Sequence, residues 1–182
     1  EEDDENTHDF LIARGNIAII VHKNSTTKSL TQVQIRGLLT GEINNWKLVG
    51  GADAPVNVVS RMQGSTTRQF VEEAVLEGSD FVSNAKEVET TKLLSESVAA
   101  DPYAIGYIAS KDSNGTADVA YIAVDGVMAS RDTVLSGRYP FTHSFSLLLY
   151  GEQQGTRLNF INFARSPAGQ KIVAQQGLIP VC

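Results

Sequence analysis

Val58-Val59-Ser60-Arg61-Met62-Gln63-Gly64-Ser65-Thr66-Thr67-Arg68-Gln69-Phe70 is the segment on which the reading of this chain turns. The apolar run Val56–Val59 reads as a strand. It ends in a glycine and three consecutive hydroxyl residues flanked by two arginines, after which Phe70, Val71, Ala74 and Val75 recur at helical spacing as far as Gly78. A strand–turn–helix junction exposes up to four N–H groups without intrahelical partners and about half a positive charge, so it attracts anions before any side chain is considered. Gly64 allows close approach of the backbone to a ligand. Ser65, Thr66 and Thr67 each add a hydroxyl donor, and Arg61 and Arg68 each offer a fork that matches two oxygens of a tetrahedral oxyanion. Arg68 falls in the first helical turn, where a cation opposes the helix dipole, so an anion or a carboxylate is needed to offset it. The plainer reading is that Ser65 or Thr66 caps the helix while the arginines are solvated or paired with Glu72 and Glu73. No Gly-Lys-Ser/Thr is present, so the turn is not a Walker loop.

Outward from this segment, strands alternate with helices. Ile17-Ala18-Ile19-Ile20-Val21 is a continuous apolar run that fits a strand buried on both faces, as in a parallel sheet. Thr31-Gln32-Val33-Gln34 has the spacing of a capping box, with Leu30 and Ile35 as a hydrophobic staple, Val33, Leu38 and Leu39 as the apolar face, and Gly41 as the stop. Gly50–Pro55 is a loop. A second amphipathic stretch runs through Val88, Leu93, Leu94 and Val98. Ala104–Ala109, Val119–Val124 and Phe145–Tyr150 read as strands. Leu158, Phe160, Ile161 and Ala164 mark a helix, and Ser166-Pro167 starts another, carrying Ile172 and Val173 and closing at Gly177. This alternation predicts an α/β fold with a mainly parallel sheet flanked by helices.

The 182 residues suit one domain or two small lobes, and 42% hydrophobic with 20% charged residues is an ordinary globular composition. A net charge of −6 argues against a nucleic-acid partner, which calls for a basic patch or stripe. Residues 1–9, Glu-Glu-Asp-Asp-Glu-Asn-Thr-His-Asp, read as a solvated acidic arm and are acidic where a signal peptide would be basic. No apolar run approaches the roughly 20 residues that span a membrane. The one cysteine, Cys182, allows neither an internal disulfide nor a zinc cluster.

Other candidate sites are weaker. His8, His22 and His143 have no metal-pair spacing, and no cofactor is indicated. Ser65 sits where a hydrolase nucleophile would, but Gln63 and Thr67 replace the glycines of Gly-x-Ser-x-Gly, so the chain is expected not to be an enzyme. Trp46 reads as a packing residue and Tyr139-Pro140 as a turn. Asn24-Ser25-Thr26 and Asn114-Gly115-Thr116 match glycosylation sequons, which carry little weight.

Taken together, residues 17–25, 29–51, 56–73, 104–109, 124–126, 136–151 and 159–181 resemble the phosphate-binding proteins of ABC transporters, which have the type II periplasmic-binding fold. The resemblance covers residue 10 to the end. It implies that Arg61, Gly64, Ser65, Thr67 and Arg68 match the family's phosphate turn, while Thr66 stands where the family usually has glycine and puts a side chain beside the ligand. It also implies an acidic arm over 1–13, a second lobe over 14–125 and a return segment of the first lobe over 126–182. The family's N-terminal half-lobe, with its second phosphate loop and proton-accepting acidic residue, is not matched. The first lobe is therefore expected to be incomplete, with its uncovered surface met by another chain or by a homo-oligomer. The implied function is extracytoplasmic binding of phosphate or a similar oxyanion, at the periplasm or cell surface, for delivery to ABC transporter membrane subunits. The alternative is a sensor or interaction domain that keeps the fold without the ligand.

Overall fold

A computed structural model describes residues 7–109 and 118–182. The first six residues of the acidic arm and the sequon at Asn114 lie outside them. The described chain divides into two compact units. A central unit spans Asn16–Phe141, and a terminal unit joins the residues up to Gly15 with Thr142–Cys182. Strand β1 (Thr7–His22) contributes to both. Thr7–Asp9, expected in a solvated arm, belong to this strand: they alternate exposed and half-buried, as a strand with one wet face does.

The central unit adds β2 (Ser29–Leu30), α1 (Gln32–Thr40), a 3-10 turn (Trp46–Val49), β3 (Asn57–Arg61), α2 (Thr66–Ala74), β4 (Lys86–Val88), α3 (Thr91–Ala100), β5 (Ala104–Ala109), β6 (Val119–Val124) and α4 (Arg131–Leu135). Its strand order is β2-β6-β1-β5-β3-β4. The pairs β2–β6, β3–β5 and β3–β4 are parallel. Strand β1 runs the other way in the middle, with Ile19 opposite Tyr107 of β5 on one side and Ile122 of β6 on the other. The apolar run at Ile17–Val21 is indeed buried on both faces. Its neighbours are antiparallel, however, because an unbroken apolar run reports burial and not direction.

Local signals in the sequence are realised closely. Thr31 accepts from the Gln34 amide while the Gln34 side chain accepts from the Thr31 amide, and Gly41 takes the left-handed conformation (φ 84°) that ends α1. Leu30, Ile35, Leu38, Leu39, Leu76 and Leu94 are fully buried. Val33, Leu93, Phe160 and Ile172, expected on apolar faces, are instead substantially exposed. Val88 is in β4 rather than in the following helix, which starts at Thr91 behind a Thr90 cap. Trp46 is buried, and its indole Nε1 donates to the Tyr103 carbonyl at 2.9 Å. Tyr139 is also buried; its hydroxyl donates to the Ile17 carbonyl at 2.8 Å, and burial raises its pKa.

The terminal unit contains β7 (Thr142–Tyr150), α5 (Gly155–Arg165), α6 (Pro167–Gln175) and β8 (Ile179–Pro180). Both strands pair with β1, β8 through Ala13–Pro180 and Arg14–Ile179. Ser166 caps α6 with Pro167 at its first position. Gln170 ties the unit together: its Nε2 donates to the carbonyls of Ile12 and Ala164, and its Oε1 accepts from the amides of Val181 and Cys182. No helix among the described residues is long and apolar enough to cross a membrane.

Gly106 tests the packing that fixes β5 against β3 and α3. A Cβ there would lie 2.8 Å from Leu94 Cδ2, 2.9 Å from Val98 Cγ2 and 3.3 Å from the Val59 carbonyl oxygen. Gly106→Ala is expected to cost about 1–3 kcal/mol through overpacking, read as a lower urea midpoint at unchanged m-value.

Candidate oxyanion site

The turn begins where β3 leaves the sheet. Pairing of β3 with β4 extends to Arg61–Val88, and the Met62 amide then donates to the Val88 carbonyl at 3.0 Å. Pairing with β5 stops earlier, at Val58–Ile105. Gly64 adopts φ 85°, a conformation that glycine enters at little cost, and a Cβ there would meet nothing within 4 Å, so the backbone faces open space. Ser65 is the N-cap of α2, and its Oγ accepts from the Arg68 amide at 3.4 Å. With that amide taken, the N–H groups of Thr66 and Thr67 are the first-turn donors that no intrahelical carbonyl can reach. Thr66 is exposed and Thr67 nearly buried.

The two arginines play different parts. The guanidinium of Arg61 donates through Nη1 to Thr91 Oγ1 at 2.9 Å and through Nη2 to the Glu89 carbonyl at 2.7 Å, which moors it to the start of α3. Its Nε is buried without a hydrogen-bond partner in the protein. Arg68 is 7% exposed. Its Nε donates to Glu72 at 2.6 Å, and its Nη1 donates to Glu87 and, at 2.9 Å, to the Arg61 carbonyl. The guanidinium also sits over the Phe81 ring, 5.1 Å from its centroid. Burial disfavours the charge, but Glu72 and Glu87 outweigh it and raise the pKa, keeping Arg68 cationic. The offset that Arg68 requires is thus supplied by carboxylates, and Glu87, not Glu73, is the second partner. With Arg68 committed to carboxylates, the donors the turn can offer are the Thr66 and Thr67 amides, the hydroxyls and those N–H groups of Arg61 that its contacts with Thr91 and Glu89 leave over.

Sequence reasoning missed Glu87, Phe81 and Tyr107, which stand behind the turn. Tyr107 is fully buried within β5 and stacks on Phe81 at 5.8 Å. Its hydroxyl accepts from the Arg61 amide at 3.1 Å and shares a hydrogen bond of 2.9 Å with Ser60 Oγ. The available signal was a tyrosine inside an otherwise apolar strand, since a buried phenol must find a partner. The histidines are dispersed: His22 accepts from the Asn24 amide, and His143 packs edge-on against Phe145. Among the described residues no group of three or more His, Cys, Asp or Glu is placed to hold a metal ion.

Comparison with known proteins decides the family. Residues 1–168 match the model of the PBP superfamily domain. A substrate-binding protein from Clostridium perfringens, described as belonging to a phosphate ABC transporter and solved with phosphate bound, is 37% identical with a TM-score of 0.76 over 97% of this chain and 72% of its own. This chain belongs to the PBP superfamily, in the family of phosphate-binding proteins of ABC transporters. The phosphate-binding protein PstS of Bacillus subtilis (strain 168) is 32% identical over 178 residues, 95% of this chain. An ABC-type phosphate transport receptor from Vibrio cholerae is 27% identical with a TM-score of 0.87, over 97% of this chain and 73% of its own. The chain spans 57% of the length of the Bacillus subtilis protein. The type II periplasmic-binding fold read from the sequence is the fold of these relatives.

The Arg68 cluster yields a stability prediction. Arg68→Ala leaves Glu72 and Glu87 facing each other without their cation and strips a donor from the Arg61 carbonyl. Both carboxylates are more than a third exposed, so solvent screens part of the loss. The expected cost is about 2 kcal/mol in chemical denaturation, with much of it recovered when Glu87→Gln is added.

Proposed function

We propose that this chain belongs to an extracytoplasmic solute-binding protein that holds inorganic phosphate, or a similar tetrahedral oxyanion, at the Arg61–Thr67 turn for delivery to the membrane subunits of an ABC transporter. The observation that carries the reading is the start of α2: first-turn amide donors beside an open glycine, in a run of three hydroxyl residues, next to an arginine whose buried Nε lacks a protein partner. A buried donor left unmet costs about 1–3 kcal/mol, so a guanidinium shift that brought the Arg61 Nε to an anion oxygen would recover that cost. The role requires no catalysis; the ion is bound and released unchanged. Ser65 spends its acceptor on the helix cap and keeps its proton to donate, as a ligand hydroxyl should. Leu148, Tyr150, Phe160 and Phe163 are exposed on the terminal unit, which supports the companion reading that another polypeptide segment or a second copy covers that surface. Thr66, at the position where the family usually has glycine, is the feature that favours the alternative, a fold kept without its ligand.

Isothermal titration calorimetry at low salt tests the reading. Phosphate is expected to release heat with the wild type, and Arg61→Ala is expected to weaken binding about tenfold to a hundredfold through loss of charge-assisted donors. A folded wild-type protein that gives no heat with phosphate or sulfate would move the ligand-free alternative into first place.

A further inference from the structure

Three residues behind the turn form a closed ring of hydrogen bonds. The Arg61 amide donates to the Tyr107 hydroxyl at 3.1 Å, and the Ser60 hydroxyl donates to the Arg61 carbonyl at 3.2 Å. With the Ser60 proton committed there, the 2.9 Å contact between Ser60 Oγ and Tyr107 Oη has the tyrosine as donor. The ring thus leaves the Arg61 N–H and returns to the Arg61 C=O. Arg68 Nη1 adds a second donor to the same carbonyl at 2.9 Å. Each hydroxyl both gives and accepts, an arrangement in which neighbouring bonds polarise and strengthen one another.

The ring sits where the sheet ladder ends. Met62 turns its amide to β4, so the Arg61 backbone groups lie on the opposite edge, toward β5. There the ladder has stopped three residues earlier, at Val58–Ile105. Side chains take over where the ladder fails. They are themselves fixed: Tyr107 and Ser60 are fully buried, and Phe81 contacts both the Tyr107 ring and the Arg68 guanidinium. Burial raises the Tyr107 pKa, so the phenol keeps the proton that closes the ring.

We infer that Tyr107 is a positioning residue for the oxyanion site, setting through its hydroxyl the backbone of Arg61 and hence the placement of both the Arg61 guanidinium and the adjoining turn. The inference rests on the phosphate reading of this site. Tyr107 makes no contact with the ligand. It reduces the freedom of the donors before the ion arrives, and donor misplacement on the ångström scale is costly in a site of fixed dipoles.

The test is Tyr107→Phe, which keeps the ring and its stacking and deletes the one hydroxyl. Phosphate titration well below the melting temperature reads the affinity of folded molecules only, so a purely structural role would lower the melting temperature and leave the dissociation constant unchanged. The expected result is a dissociation constant raised about tenfold, a melting temperature lowered by a few degrees, and a displaced Arg61 amide resonance in the 15N–1H spectrum. Wild-type affinity in Tyr107→Phe, with binding lost in Arg61→Ala, would overturn the inference while leaving the site in place. Unaltered phosphate binding in both variants, or none in the wild type, would remove the site and the inference together. Should Tyr107→Phe fail to fold, Phe81→Leu loosens the same stack at a half-buried position and leaves all three hydrogen-bonding groups. It is expected to weaken phosphate binding several-fold, and unchanged affinity there would equally overturn the inference.

Discussion

The central unit depends on one placement: Ile17–Val21 running antiparallel between β5 and β6. The run pairs with β5 along its whole length and with β6 from Ile19 onward, the Ile17 amide and carbonyl bonding to Phe141 and Tyr139 instead, and it buries nearly all its apolar surface. Each such aliphatic side chain contributes about 1.5–3 kcal/mol by leaving water. The consequences for the turn are geometric. β1 fixes β5, and β5 holds β3 through only two paired residues before the strands part. The parting leaves the Arg61 backbone to be held by Tyr107, Ser60 and Arg68. The Arg61–Thr67 turn is thus the place where a well-made sheet stops and side chains finish its hydrogen bonding.

Charge around the turn is arranged more subtly than two arginines suggest. Arg68, Glu72 and Glu87 together carry a net charge of −1, so this cluster adds nothing to the attraction of an anion. Its contribution is mechanical: it anchors α2 to β4 and supplies a donor to the Arg61 carbonyl. Under the phosphate reading, the attraction comes from Arg61, the helix-start amides and the hydroxyls. The whole-chain charge of −6 does not oppose this, since local donors set the binding energy while distant charges act mainly on the rate of encounter.

Much of this was legible in the sequence because it is local. The capping box at Thr31–Gln34, the Ser65 cap, the Ser166-Pro167 restart and the Gly41 stop are written in nearby residues, and the structure realises each, whereas α2 ends at Ala74, ahead of the stop expected at Gly78. The buried run at Ile17–Val21 was legible too, but its direction was not, since burial on two faces is equally compatible with either neighbour orientation. The conflict at Arg68 was visible as a cation at a helix start; its resolution was not, because Glu87 lies 19 residues away and is brought in by the β3–β4 pairing. The Tyr107–Ser60–Arg61 ring depends on a contact 46 residues apart in sequence, between a strand that reads as plain core and one that reads as the approach to a loop. Amphipathic spacing misled at Val33, Leu93, Phe160 and Ile172, because periodicity marks a face and cannot say whether a partner covers it.

Under the phosphate reading, this turn offers its donors at the protein surface, beside solvent. Under that condition each protein donor competes directly with solvent, and its net contribution is the small difference between two hydrogen bonds of similar strength. Order already present in the free protein tips that difference, since donors fixed beforehand spare the entropy of arranging them. The burial of Ser60 and Tyr107 is therefore a functional matter as much as a structural one. Two hydroxyls in an apolar core are costly unless partnered, and here they find their partners in each other and in the Arg61 backbone that the sheet ladder leaves unpaired. Their use makes sense if the residue they jointly hold, Arg61, must stand in one position.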